Sequence, residues 1–415
     1  MKILHISTSD NGGAANSCIR LHLSLLEAGI DSTLLTISKK KTGIQQHFTY
    51  NKQRKPGIFM RLKYRLGFDK PPYLKYELQL ENKVKGYEFF SFTGTDFDLS
   101  ECDLVKAADI INLHWVAGFL DYRTFFNKVK KPIVWTLHDM NAFSGGCHYS
   151  DGCNKYLNNC DVCPQLLGTI DPTYSHTQWE IKKASYEKAD ITIVAPSKWL
   201  SECASVSSLL NGRPVNLIPY SLDLDAFKPM SREQARRDLG LPPDRKILLF
   251  VSTSIDNKRK GLQVLLDSLT FLANRNDYLV CSVGQSDILN SPGYFSLGEI
   301  RDEKKMMKAY NSADVFVLPA NEDNLPNVVL ESLACGVPVI GFNIGGMPDM
   351  ITNGLNGLLC QKISPSQLAE TIHQFFSEKE KYSSELIRKD AVEKFNNTLQ
   401  AERYISIYRN LIKKI

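Results

Sequence analysis

Two carboxylates, Asp323 and Glu331, stand eight positions apart in the stretch NEDNLPNVVLESLACGVPVIGFNIGGMPDMI, Asn321 to Ile351. Pro326 between them marks a helix start, because the N–H that proline lacks would be unpaired at the first helical position anyway. The N–H groups of Asn327, Val328 and Val329 are then left to meet an anion, helped by the positive end of the helix dipole. Glu331 falls about one turn into that helix, on the ligand side, and Asp323 lies in the loop before it. Carboxylates repel a bare phosphate but accept hydrogen bonds from a vicinal diol. Acids beside a helix N-terminus therefore suit a ligand carrying hydroxyls as well as phosphate, and a nucleoside diphosphate sugar has that mixture. An acidic loop before an ordinary helix capped by Asn324 explains the acidic pair alone equally well, and both readings stay open for it.

Other residues could serve the same chemistry. The loop NKRKG, Asn257 to Gly261, follows an apolar strand and brings Lys258, Arg259 and Lys260 together as a candidate diphosphate clamp. Gly12 and Gly13 separate the first strand from the first helix, where glycine permits close backbone approach. His138, in WTLHDM, sits just past a strand end, within reach of a cleft, and His114, in NLHWV, is a weaker candidate. Cys147, Cys153, Cys160 and Cys163 fall within 17 residues, and the last two form a C-x-x-C pair. Four thiolates so spaced could hold a structural Zn²⁺; reduced, unliganded thiols are the alternative. The stretch from Asn51 to Tyr76 has eight basic residues, one acid (Asp69) and interleaved apolar side chains such as Ile58, Phe59, Leu62 and Leu66. Such a segment can lie on an anionic membrane or be an ordinary solvated surface.

These residues need elements to hold them. KILHIST, an amphipathic helix closed by Gly29, and STLLTI form a βαβ opening, which implies a parallel sheet. DIINLHW, PIVWTLHD, ITIVAPS and VNLIPYS continue the strands. After the polar, proline-containing stretch 222–245 the pattern restarts with KILLFVST and continues through DYLVCSVG, YFSLGEI, VFVLPA and VPVIGF. Two α/β units fit a chain of 415 residues with 43% hydrophobic and 23% charged residues. A formal net charge of +5 favours anionic partners without naming nucleic acid, and no nucleic-acid motif accompanies it. No G-x-G-x-x-G is present, which argues against a dinucleotide oxidoreductase. The opening MKILHISTSDNGG lacks the apolar core of a signal peptide, and no apolar run is long enough to span a bilayer. With ten cysteines and no secretion signal, the sequence points to a reducing, cytoplasmic setting.

The combination of SLACGVPVIGF and GGMPDMI with the two acids resembles the donor-binding signature of retaining glycosyltransferases of family 4, which have the GT-B fold. The resemblance spans most of the chain and is strongest in its second half. It implies two Rossmann-like domains facing each other across a cleft. The expected bounds are 1–221 for an acceptor domain with a cysteine-rich insertion at 145–166, 222–395 for a nucleotide-sugar domain, and 396–415 for a helix returning to the first domain. By the same resemblance Glu331 would hold the ribose hydroxyls, Asp323 the transferred sugar, and the Asn327–Val328 backbone the phosphate or sugar. Gly12 and Gly13 would line the cleft, and His138 would face the reacting carbon. Lys260, with Arg259, would stabilise the departing diphosphate of a UDP- or GDP-sugar. Two positions depart from the family pattern. Asp323 stands where the first Glu is usual, with Glu322 beside it, and Ser254 stands where an arginine is frequent. The cysteine-rich segment resembles an insertion in a bacterial subgroup of colanic-acid-type and capsular polysaccharide transferases. The resemblance implies a saccharide or lipid-linked acceptor and no catalytic cofactor, and an enzyme with a lipid-linked acceptor would benefit from the peripheral membrane contact that the composition of 51–76 allows. A different GT-B activity (an epimerase or a phosphorylase) and a metal-centred interaction protein are the alternatives.

Overall fold

The computed structural model describes residues 1–413 apart from 55–57, 69–71, 188, 256, 286–290 and 292, with backbone alone at 72–75 and 254. The chain divides into two units, Met1–Ile218 with Gln400–Ile415, and Pro219–Leu399. These divisions stand at 218 and 399, against expected bounds of 221 and 395.

In the first unit the described residues form seven parallel strands: β1 (Lys2–Ile6), β2 (Asp31–Thr36), β3 (His47–Thr49), β4 (Ile110–Leu113), β5 (Ile133–Thr136), β6 (Ile191–Ala195) and β7 (Val215–Leu217). Their order is β3-β2-β1-β4-β5-β6-β7. β4 and β5 are buried along their whole length, as parallel strands covered on both faces must be. The order reverses between β1 and β4, and ligands of such sheets bind beyond the carboxyl ends of the strands at that reversal. The helix Asn397–Ile412 closes this unit's core. Its Tyr404 and Tyr408 are buried, and Tyr408 accepts a 2.7 Å hydrogen bond from the Asn112 amide on β4. Tyr404 and Thr136 share another at 2.9 Å.

In the second unit six parallel strands follow the order β10-β9-β8-β11-β12-β13. They are β8 (Lys246–Ser254), β9 (Tyr278–Gln285), β10 (Tyr294–Ser296), β11 (Val315–Leu318), β12 (Val339–Phe342) and β13 (Gly357–Cys360). The reversal here lies between β8 and β11, so the loops after those two strands meet at its open end. The polar stretch before β8 is not a loose linker. It holds the helix Arg232–Leu239, from which buried Arg236 reaches Asp314 at 2.8 Å.

Candidate functional site

The loop after β8 carries the cations and the loop after β11 carries the acid. Lys260 Nζ lies 2.5 Å from Asp323 Oδ2, and Arg259 Nη1 lies 3.2 Å from the same oxygen. Arg259 also donates to the Glu322 carbonyl at 2.7 Å, and the backbone N–H of Asn321 donates back to the Arg259 carbonyl at 2.9 Å. Asp323 is buried. Burial alone would raise its pKa, but Lys260 and Arg259 outweigh that and hold the carboxyl below its usual range. The cluster of two cations and one carboxylate carries a net charge of +1, which favours an incoming anion.

Glycines make this convergence possible. Gly261 has φ of +82°, and a Cβ there would meet the Pro319 carbonyl oxygen at 1.9 Å. A side chain would thus push the cationic loop away from β11. Gly345, with φ of +51°, lets the loop after β12 close on Asp323, whose carbonyl accepts from the Gly346 N–H at 3.1 Å.

The helix Asn327–Ala334 differs from expectation at its start. Pro326 is extended (ψ 121°) and is the cap, not the first helical residue. The N–H of Val329 is already bound to the Pro326 carbonyl at 3.0 Å and is not left for a ligand. Asn327 and Val328 occupy the exposed side of the first turn, half-buried. Glu331, buried deeper, accepts a 2.8 Å hydrogen bond from the Tyr310 hydroxyl. Tyr310 has no signature in the sequence, 21 positions away on another helix, Glu303–Ser312. It fixes the carboxylate's orientation while the second oxygen can serve other donors.

In the first unit, Gly12 has φ of +98° and caps the helix Gly13–Glu27, so this turn requires glycine. His138, just past β5, is half-buried and belongs to a histidine chain. Its Nε2 is 3.0 Å from His114 Nδ1, and His114 Nε2 is 3.0 Å from His5 Nδ1, on β1. His5 Nε2 is buried without a hydrogen-bond partner, and Cys18 lies beside His5 and His114. Burial lowers the pKa of His138 to about 4 despite neighbouring Asp139, and burial drives His5 and His114 well below the usual imidazole value. All three rings are therefore neutral near pH 7. Asp139 pairs with His148 at 2.5 Å and accepts from Trp115 Nε1 at 3.0 Å. His114, Trp115, His138, Asp139 and His148 line one cavity. Asp139 was legible as the neighbour of His138 and His148 lies only nine positions further on, whereas His5 is 109 positions from His114.

The four cysteines all line a second cavity, in the cysteine-rich segment. The basic segment divides in two. Arg54 is tied down, with Nη2 3.3 Å from Asp121 and Nε 3.4 Å from Asp98, so it is structural. The helix Ile58–Arg65 buries none of its side chains. Lys55, Asp69 and Lys70 lie outside the described residues, as does the Lys75 side chain.

Residues 245–378 match the family model described as Glycosyl transferases group 1. D-inositol 3-phosphate glycosyltransferase of Thermobifida fusca is 32% identical over 184 residues, 40% of this chain and 42% of that protein. The chain thus spans about two fifths of the length of that relative. Sucrose-phosphate synthase of Thermosynechococcus elongatus superposes over 100% of both chains with a TM-score of 0.69 and 19% identity. Anabaena Alr3699/HepE, solved in complex with UDP, has a TM-score of 0.66 and 15% identity over 99% of this chain and 100% of its own. The chain therefore carries a glycosyl transferases group 1 segment, residues 245–378, on a GT-B-type fold of two parallel-sheet Rossmann-like units.

Proposed function

We propose that this protein is a retaining glycosyltransferase. It takes a sugar from a UDP- or GDP-sugar and places it on a saccharide or lipid-linked saccharide in bacterial surface polysaccharide synthesis. The observation that carries this reading is the meeting of Lys260, Arg259 and Asp323 at the strand-order reversal of a segment matching glycosyl transferases group 1. In it, the bond between the anomeric carbon and the diphosphate oxygen breaks and its electrons leave with the diphosphate. An acceptor hydroxyl oxygen bonds the same carbon and passes its proton to the departing diphosphate oxygen. Lys260 and Arg259 meet the charge that grows on the leaving oxygen, the term usually worth most in such transfers. Asp323 holds both cations in place beforehand and is itself placed to take sugar hydroxyls. Glu331, steadied by Tyr310, takes the ribose diol. Asn327 and Val328 offer backbone to the phosphate or sugar, while Gly12, Gly13 and neutral His138 serve the sugar from the first unit. The reaction needs no catalytic metal in this reading.

The UDP bound by Anabaena Alr3699/HepE supports a nucleoside diphosphate donor. The Thermobifida relative, a glycosyltransferase, supports transfer as the reaction class. The test is a thermal-shift panel of UDP-, GDP-, ADP- and TDP-sugars on the wild type and on Glu331→Ala. One sugar nucleotide is expected to raise the melting temperature. Glu331→Ala should weaken its binding by about 1.5–3 kcal/mol, the worth of hydrogen bonds to a charged group. No shift with any donor, or an unchanged dissociation constant in Glu331→Ala, would overturn the site. Free sugar released in place of a glycoside, or dependence on inorganic phosphate, would instead assign a different activity to the same fold.

A further inference from the structure

The segment from Gly145 to Thr173 has little regular structure and is held by loop hydrogen bonds, such as those from Gln165 to the Tyr149 carbonyl and from the Ser175 hydroxyl to the Cys160 carbonyl. Its only regular structure among the described residues is two single turns, Lys155–Leu157 and Pro164–Leu166. Yet Cys160 and Cys163 are buried within it. Cys147, Cys153, Cys160 and Cys163 all face one cavity, together with Phe90, Lys155 and Tyr156. We propose that this cavity is a zinc site in which the four cysteines are the ligands and the ion is the crosslink of the segment. Nothing in the reaction above uses it.

Three observations carry the assignment. The first is convergence. Cys147 is anchored by a bridge to Phe90, and the N–H of Cys163 by a 2.9 Å bond to the Pro172 carbonyl. Cys160 adopts a left-handed φ of 45°, which turns its side chain inward at a conformational cost that a bound ion would repay. The second is the hydrogen bonding around the sulfurs. The Gly145 N–H donates to Cys160 Sγ at 3.1 Å. A Cβ at Gly145 would sit 2.7 Å from the Cys160 Cβ, so only glycine lets that amide approach. The Ser144 hydroxyl donates to the Cys147 carbonyl at 2.7 Å and the Leu166 N–H to the Cys163 carbonyl at 3.0 Å, which fixes the backbone that carries both sulfurs. Donors aimed at sulfur stabilise thiolates and orient them for a metal. The third is charge. Four thiolates around Zn²⁺ carry a net charge of −2, and three ammonium groups stand against them. Lys182 faces Cys147 and Cys160, Lys155 faces Cys153 and Cys163, and Lys83 faces Cys147 and Cys163. Lys182 is fully buried and donates to the carbonyls of Asn141 and Ser144, so it is a fixed part of the wall.

Among the described residues no three of these sulfurs lie mutually within 4.8 Å. A tetrahedral site with Zn–S near ~2.3 Å places sulfurs about 3.8 Å apart, so binding draws the four sulfurs closer together. Each thiol releases a proton as the Zn–S bond forms, which makes occupancy fall in acid.

The test uses the full chain purified without chelator. Elemental analysis should find one zinc ion per chain, and an organomercurial should release it into a colorimetric dye in proportion to thiols modified. Cobalt exchanged into the protein should show the sulfur-to-metal charge-transfer band and intense visible bands of a tetrahedral thiolate site. The Cys160→Ser/Cys163→Ser variant should lose the metal. Should that variant fail to fold, cobalt spectra and zinc release from the wild type still decide. Four free thiols without metal, in protein grown and purified with added zinc, would overturn the proposal. Two disulfides in their place, read as a mass 4 Da lower than the reduced chain, would also overturn it.

Discussion

At the scale of single residues, the histidine chain has a consequence for acid stability. Unfolded, each imidazole takes up a proton near pH ~6.5. Folded, His138 does so only near pH 4, and His5 and His114 are lowered as well. Between those values the unfolded chain binds more protons than the folded one. Stability is therefore intact above about pH 6.5 and declines as pH falls towards 4, by up to about 1.4 kcal/mol per pH unit for each neutral histidine. Thermal unfolding of the wild type from pH 7 to pH 5 should show this decline, and His138→Asn should show a shallower one. Identical slopes would remove His138 from the set of buried neutral groups. Asp323 obeys the same sign in a lower window. Its stabilising share is present above the ordinary carboxylate value and disappears as pH drops through its depressed one. The chain also has two tautomeric states. If His138 Nε2 is the acceptor, His114 donates from Nδ1 and accepts at Nε2 from His5; reversing one proton reverses all three. This coupling could not be read from the sequence, because the three rings come from the ends of three strands more than 20 residues apart. The acid–base pairing of Lys260 with Asp323 was legible as residue types but not as a contact, since the two are 63 positions apart. Tyr310 was invisible for the same reason.

At the scale of elements, strands set in apolar runs were legible and those set in polar or glycine-rich surroundings were not. Strands such as β4 and β5 announce themselves because both faces are covered, leaving runs of Ile, Val, Leu and Trp broken only by Asn112 and Thr136. β3 has three residues and two are exposed, so neither alternation nor apolarity marks it. β13, the four residues GLLC, looks like part of a glycine-rich loop until its pairing with β12 is seen. The helix Ile58–Arg65 poses the opposite question, since its mixed basic and apolar composition was legible but none of its side chains is buried among the described residues. Ile58 is 87% exposed, Phe59 69%, Leu62 51%, and beyond the helix Leu66 57% and Phe68 79%. Arg61, Lys63 and Arg65 lie among them, which is the composition of an interfacial helix. In the proposed transfer to a lipid-linked acceptor, this helix is the element that would meet an anionic membrane. The protein should then sediment with anionic vesicles and release progressively as salt rises, because each basic residue near such a surface contributes about 1 kcal/mol. Arg61→Glu/Lys63→Glu/Arg65→Glu should abolish sedimentation while leaving donor binding intact. Equal sedimentation with neutral and anionic vesicles, or none with either, would leave the helix without a lipid partner.

At the scale of the whole molecule, the two units differ in how the chain is threaded through them. The second is one continuous stretch, Pro219–Leu399, whereas the first is completed only by Gln400–Ile415. Tyr404 and Tyr408 fill the first unit's core against β4 and β5 through Asn112 and Thr136. During synthesis, at about 5–20 residues per second, nearly 200 residues separate β7 from those tyrosines, a wait of roughly 10–40 s. The usual vectorial order, N-terminal domain first, is thereby inverted. The later-made unit is complete in sequence at residue 399, while the earlier-made one still lacks its last buttress. Nascent chains arrested on a spacer long enough to bring residue 399 out of the ribosomal exit tunnel should accordingly resist protease over 219–399 and be cut readily within 1–218, and the same spacer placed after the tail should protect both. Equal protection of the two at residue 399 would show that the tail is dispensable for the first sheet. The interval leaves a sheet that already has all seven strands without the helix that covers Ile3, Ile110, Val134 and Val194, so the last residues made act as a latch on the first ones.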